Sequence, residues 1–311
     1  MYRALRAFVR AALHLYCGRI RVDRATAPSA DTVVVLASNH PNSFFDALVI
    51  AAHLPYRMRF LARGDAFRDP RAARILRALF MIPVYRMSEG RAELKRTAES
   101  FDQAHAELVQ GGSVLVFSEG LSMNEPGLRP LGKGTARIAY RAWHEAGLDV
   151  SILPVWLRYD TFHRPFMHVA LATGEPMHDG GSAAAHEAAF LRDFNIELRK
   201  RLLANSERVD ASVLTKHRSR ILAKVLLIVP AMAGFILHAP WYFALRRFTA
   251  QRTKGSVFFD PVLFGLLFLT YPLWLLVLIG LCAWAGLGLW ALGIFVVAPL
   301  LLAALRGFSL H

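Results

Sequence analysis

The sequence predicts an α/β fold, a mostly parallel sheet flanked by helices, followed by a C-terminal helical membrane region. Three observations predict it. Short apolar runs alternate with helical patterns over the first two-thirds of the chain. Polar residues that can carry chemistry follow the ends of several of those runs. From Ile221 onward the chain is largely apolar, interrupted by one short basic stretch.

The elements follow in order. Residues 2–16 set Arg3, Arg6 and Arg10 among Leu5, Phe8, Val9, Ala12, Leu13 and Tyr16 at helical spacing. That pattern is an amphipathic helix with a basic face, not a cleavable signal peptide. It suits a helix packed on the domain or one lying on a membrane surface, and residues 1–22 are assigned as a membrane-surface helix. Residues 33–37, 80–85, 113–117, 151–157 and 167–172 read as short buried strands. Helical patterns cover 43–54, 70–79, 90–110, 132–146 and 184–204. Together they make an α/β domain over 23–215. In parallel sheets, sites form beyond the carboxyl ends of the strands. His40 follows the first predicted strand, Arg86 the second and Glu119 the third.

The membrane region spans 216–311. Residues 221–245 are apolar but hold Pro230, His238 and Pro240, and 246–256 are basic and polar. Residues 261–305 carry no charge, too long for one span and about right for two at roughly 20 residues each. A helical hairpin over 258–305, turning near Cys282–Gly288, is expected. Basic residues flank it at 246–256 and at Arg306, so both flanks should be cytoplasmic. The cluster at 216–224 gives the same signal, so 221–245 has cytoplasmic signals at both ends. It either re-enters, bent at Pro230 and Pro240, or spans with one signal overruled; the re-entrant or interfacial form is preferred.

Composition narrows the function classes. The 311 residues carry a net charge of +14, and mean hydropathy is +0.34. Basic residues beside long apolar segments point to an anionic membrane surface or a phosphorylated substrate, and no nucleic-acid-binding motif is present. Cys17 and Cys282 both lie in apolar stretches and give neither a disulfide framework nor metal-ligand spacing.

The chemistry concentrates in Ser38-Asn39-His40-Pro41-Asn42-Ser43-Phe44-Phe45-Asp46. A histidine can take a proton near neutral pH, and a carboxylate beside it fixes its tautomer and stabilises its cation. Residues six apart on one α-helix point about 120° away from each other, so His40 and Asp46 cannot meet on a continuous helix. Pro41 disfavours helix at His40, and Asn42 or Ser43 is a good N-cap. His40 is therefore expected on a pre-helix loop, its ring folded onto Asp46. The plainer alternative is a strand-capping histidine and a surface aspartate. Arg86, after Ile82-Pro83-Val84-Tyr85, can bind phosphate or be an ordinary surface charge. Glu119 and Gly120 follow the strand Val114–Phe117; the carboxylate suits a substrate hydroxyl or backbone N–H groups. Lys133, between Gly132 and Gly134, can approach an anion at a helix start or sit in a solvated loop. Ile152-Leu153-Pro154-Val155-Trp156 reads by itself as core.

Taken in this order, the four blocks resemble the glycerolipid acyltransferase family, typified by bacterial lysophosphatidate and glycerol-3-phosphate acyltransferases. The resemblance covers about residues 30–175. Five residues separate His40 from Asp46 where four are common, as in a longer variant of the family. Ser118 stands where proline is common, and Leu121-Ser122-Met123 replace a serine and arginine often found there.

The resemblance implies an acyltransferase-type fold and transfer of a fatty acyl group from a thioester to a hydroxyl of lysophosphatidate or glycerol 3-phosphate. His40 would be the general base and Asp46 its orienting partner. Arg86 would hold the acceptor phosphate, with Lys133 and Arg63 adding charge. Glu119 and Gly120 would position the acceptor, and Asn39 would support the His40 loop on the substrate side. Acyl-CoA or acyl carrier protein would bring the donor as co-substrate, with no resident cofactor or metal. Membrane lipids and the donor are the expected partners, and nucleic acid is not. The expected setting is a bacterial inner membrane with the catalytic domain cytoplasmic. Two alternatives stand beside this: another lysolipid acceptor, such as a lyso-ornithine lipid, and a catalytically silent protein that holds anionic lipid. The topology has a direct test. A reporter fused after Thr249 is expected on the cytoplasmic side, and periplasmic exposure would overturn the non-spanning form of 221–245.

Overall fold

The computed structural model describes residues 2–24, 26–84, 91–179, 186–209 and 221–310. Seven strands form one sheet: β1 (Ile20–Asp23), β2 (Val34–Ser38), β3 (Met58–Arg63), β4 (Met81–Val84), β5 (Ser113–Phe117), β6 (Ser151–Tyr159) and β7 (Val169–Thr173), in the order β1-β7-β6-β2-β5-β3-β4. Five of the strands run parallel across β6-β2-β5-β3-β4, while β7 pairs antiparallel with β6 and parallel with β1. The sequence reading missed β1 and β3. Each puts arginine into a short run, Arg21 in one and Arg59 and Arg63 in the other, so neither reads as a continuous apolar strand. The domain boundary expected after residue 22 falls inside β1.

The alternation of side chains along the strands sorts them into two cores. Val34 and Leu36 of β2 face one side with Leu115, Leu153, Val155 and Leu157. Val35 and Ala37 face the other with Val114, Val116, Ile152 and Trp156. Both faces of the central strands are buried, as a parallel sheet covered on both sides requires. Helices α1 (Tyr2–Tyr16), α2 (Ser43–His53) and α3 (Pro70–Ala78) lie against the first core. Helices α4 (Arg91–Val109), α5 (Gly134–Tyr140) and α6 (Glu187–Arg208) lie against the second. The amphipathic α1 buries Leu13, and its Tyr2 hydroxyl donates to the Tyr56 carbonyl at 3.1 Å. Its exposed Phe8 touches the Phe268 ring, 4.6 Å between centroids.

The C-terminal region is helical: α7 (Ile221–Arg252), α8 (Phe259–Cys282) and α9 (Ile294–Leu310), with irregular turns over 283–293. Lys224–Arg252 and Phe259–Ser309 are helical stretches long and apolar enough to cross a membrane. Val229, Trp284, Leu289 and Trp290 are at least three-quarters exposed, apolar surface of a kind that monomers in water rarely leave bare. The chain reverses between α8 and α9, so Leu275 and Leu278 pack with Ala298. Both ends of this hairpin rest on the domain: Asp260 bonds the loop before α2, and Arg306 Nε donates to the Cys17 carbonyl at 2.8 Å.

Helix α7 divides its packing between the two arms. Its first half runs against α9, Leu227 beside Gly307 and Gly234 beside Leu301. Its second half runs against α8, His238 beside Tyr271 and Trp241 donating to Thr270 at 2.9 Å. Pro230 and Pro240 both lie inside α7, and each removes a helix hydrogen bond. Gly234 lets α7 and α9 touch: a Cβ there would sit 2.3 Å from the Leu301 carbonyl oxygen. Gly234→Val is therefore expected to force the helices apart and cost about 1–3 kcal/mol, read as a lower unfolding midpoint in detergent.

Candidate active site

The register of three adjacent strands assembles the site. Ser38 of β2 pairs with Phe117 of β5 on one side and Val155 of β6 on the other. His40 and Glu119, two residues on, and Tyr159, at the last position of β6, therefore emerge at the same end of the sheet. Asn39 fixes where the chain leaves β2. Its amide nitrogen donates to the Leu157 carbonyl at 2.9 Å, and its amide oxygen accepts the Leu157 N–H at 2.8 Å. With both ends of that amide committed and the residue buried, Asn39 holds the loop and faces no substrate space.

His40 lies on the loop before α2, and Asp46 lies one turn inside the helix. His40 Nδ1 is 2.9 Å from Asp46 Oδ2. The same oxygen accepts the Asn42 N–H at 2.8 Å, and Oδ1 accepts the Tyr159 hydroxyl at 2.7 Å. A carboxylate with no exposed surface needs such donors in place of the water it has lost. Facing the Asp46 oxygen, Nδ1 is the donor nitrogen of His40, which leaves Nε2 as the basic one. Burial, followed by the Asp46 charge, holds the Tyr159 phenol well above its ordinary range, so it remains a donor. The imidazole stacks on Phe117 with centroids 3.7 Å apart and planes 11° from parallel.

The loop after β5 grips the histidine loop. Met123 N–H donates to the His40 carbonyl at 3.3 Å, and the Asn124 amide donates to the Pro41 carbonyl at 2.9 Å. Ser122 Oγ accepts the Ser43 N–H at 2.7 Å. Ser43 has φ of +49°, a left-handed conformation that costs energy for a residue with a Cβ and needs such restraint. Ser122, one of the residues that depart from the family pattern, thus acts on the loop itself. Ser118, another departure, pairs its buried hydroxyl with Thr135 at 2.9 Å.

Glu119 is set back from the cavity, near the backbone of Arg129 and His40. Burial raises its pKa, and those backbone groups offset part of the rise. His40, Gly120 and Arg63 line one cavity of about 750 Å³, whereas Asn39, Glu119 and Lys133 do not. Its walls are mainly apolar, with Phe60, Leu76, Leu79, Met81 and Phe101 among them, and Val257 and Phe258 before α8 complete them. Arg63 offers less positive charge than expected, because Asp65 takes its guanidinium through two hydrogen bonds, 3.2 Å to Oδ1 and 2.5 Å to Oδ2. Lys133 is exposed at the start of α5. Arg86 lies outside the described residues, two positions past Val84, which lines the cavity. Among the described residues no group of three or more His, Cys, Asp or Glu suits a metal ion.

Sequence reasoning missed Tyr159, Ser122, Asn124 and Asp260. The signal for Tyr159 was present: Leu153, Val155 and Leu157 alternate onto the α2 face, and one more step of two reaches it.

Residues 19–158 match the family model described as Acyltransferase. No curated protein matches the sequence. Among solved structures, the 1-acyl-sn-glycerophosphate (LPA) acyltransferase PlsC from Thermotoga maritima is similar, with a TM-score of 0.51 and 18% identity over 70% of this chain and 81% of that one. The fold is shared; at that identity the likeness extends no further.

Tyr159→Phe tests the carboxylate's surroundings. It leaves Asp46 Oδ1 without its short bond and is expected to cost about 1.5–3 kcal/mol of stability, measured by denaturant unfolding, with a smaller loss of activity than removal of His40.

Proposed function

We propose that the protein, whose residues 19–158 match the family model described as Acyltransferase, moves a fatty acyl group from an acyl thioester to a hydroxyl of a glycerolipid precursor, lysophosphatidate or glycerol 3-phosphate. The observation that carries this reading is the His40–Asp46 pair at 2.9 Å on the wall of a largely apolar cavity.

His40 Nε2 takes the acceptor hydroxyl proton as that oxygen attacks the thioester carbonyl carbon. The C–O bond forms, and the carbonyl π electrons move to oxygen. On collapse the C–S bond breaks, and the departing thiolate takes the proton back from Nε2. Asp46 holds the ring orientation throughout and stabilises the imidazolium that forms between the two transfers. The substrate's own hydroxyl is the nucleophile, so no acyl-enzyme forms. Gly120 gives the acceptor close approach, its φ of +65° opening the turn beside the cavity. Glu119, beside the His40 backbone, would act through that loop.

Arg86 is the proposed phosphate ligand, supported by its family block and by its place two residues after Val84 on the cavity wall. The Arg63–Asp65 pairing favours a second reading, an acceptor lysolipid without a terminal phosphate, because it removes one of the proposed cations. The α8–α9 hairpin supports a membrane enzyme whose domain lies on one side. Both hairpin ends contact that domain. A cytoplasmic face of a bacterial inner membrane is the proposed location, with acyl-CoA or acyl carrier protein as donor.

The test is acyl transfer by the full chain in lipid vesicles, from acyl-CoA and acyl carrier protein, to both phosphorylated acceptors and to a phosphate-free lysolipid. His40→Ala is expected to lower kcat by about 10²–10⁴-fold. Full activity in that variant would refute the mechanism. Arg86→Ala is expected to raise the acceptor KM, and an unchanged KM would favour the phosphate-free acceptor.

A further inference from the structure

One carboxylate from the membrane region reaches the catalytic loop. Asp260, in the first turn of α8, is buried. Its Oδ2 accepts the Asn42 side-chain N–H at 3.0 Å, and its Oδ1 accepts the His163 backbone N–H at 3.1 Å. Asn42 in turn donates its own backbone N–H to Asp46 Oδ2, the oxygen that holds His40. One residue thus joins two buried carboxylates, one in the domain and one at the head of a membrane helix.

The conformation of Asn42 shows what that contact does. Asparagine at a helix start ordinarily caps it, accepting a backbone N–H with its side chain. Asn42 occupies the N-cap position of α2 with φ of −139° and ψ of 45° and makes no such bond. Its amide turns to Asp260 instead. The following residue, Ser43, sits in the left-handed region. The segment that places His40 is therefore not set by helix capping; it is held by partners from outside. Leu121–Asn124 supplies one set and Asp260 the other. The same stretch of chain walls the cavity, through Val257 and Phe258, and Phe259 lies against the His163 ring at 4.7 Å.

We propose that Asp260 is a positioning residue for the reaction: through Asn42 it fixes the loop that aligns His40 with Asp46, so the catalytic domain is complete only with the start of α8 docked on it. Asp260 lies outside the stretch 19–158 matched by the family. The inference rests on the acyl-transfer reading.

The experiment uses the full chain in lipid nanodiscs. Asp260→Ala, Asn42→Ala and the double variant are compared with wild type and His40→Ala. Acyl transfer gives kcat and KM, and proton NMR follows the low-field Nδ1 proton of His40. A loop displaced by an ångström costs on the order of 10²-fold in rate. Asp260→Ala is expected to lower kcat by about 10- to 100-fold with both KM values within about threefold. The His40 proton should broaden or shift, and the double variant should lose no more than the worse single one, as residues in one chain of contacts behave. Asp260→Asn, which keeps one acceptor oxygen, should recover most of the rate. Wild-type kcat in Asp260→Ala, a loss lying wholly in KM, or single losses that multiply in the double variant would overturn the proposal. If Asp260→Ala does not fold, Asn42→Ala cuts the same bond from the other side, and full kcat there overturns it equally. If wild type transfers no acyl group, the functional reading fails. The His40 proton then still decides the positioning claim: an unchanged signal in Asp260→Ala ends it.

Discussion

A charged carboxylate inside a protein is tolerable only when donors replace the water it has lost, and Asp46 has no exposed surface. Its three donors come from the histidine loop, the start of α2 and the end of β6. That requirement orders much of the site. It fixes the His40 tautomer, draws the loop back over the helix start and places Tyr159 beneath the pair. The parallel sheet makes this possible by bringing the ends of β2, β5 and β6 together at one edge, so residues 113 positions apart share one oxygen pair.

The histidine loop is held from several directions because its local geometry does not hold itself. Ser43 is left-handed, Asn42 forgoes capping, and Pro41 blocks helix at His40. Main-chain and side-chain bonds from the loop after β5 and the amide of Asn39 restrain what local propensity leaves loose. The stack on Phe117 keeps the ring in the plane of the apolar wall. A base held this way needs little rearrangement when a hydroxyl arrives, a condition under which orientation contributes to rate.

What could be read from the sequence divides along contact range. The His40–Asp46 encounter was partly legible because six-residue spacing, Pro41 and capping preference are local facts that exclude one continuous helix; the rival reading, a surface aspartate, is decided by the burial of Asp46. The α/β character was legible from apolar runs such as Val33–Ala37. β1 and β3 were not, because arginines at Arg21, Arg59 and Arg63 break the apolar signal in strands with an exposed side. Tyr159 and Asp260 reach the site from 113 and 218 residues away, and only the folded register brings them there. Glu119 was named for two roles, and nothing short of its neighbours' positions separates them. Arg63 looked like a free cation until Asp65, two residues on, was seen to face it.

The bond between Asn42 and Asp260 joins the earliest catalytic residues to one that leaves the ribosome more than two hundred residues later. A chain is synthesised from its amino end, and its domains tend to fold in that order. The sheet, the histidine and its aspartate can all be present while the last brace of their loop is still unmade. That brace arrives only when the final hairpin has folded against the domain. A site built in this order would be complete only once the apolar hairpin is in place, and not before.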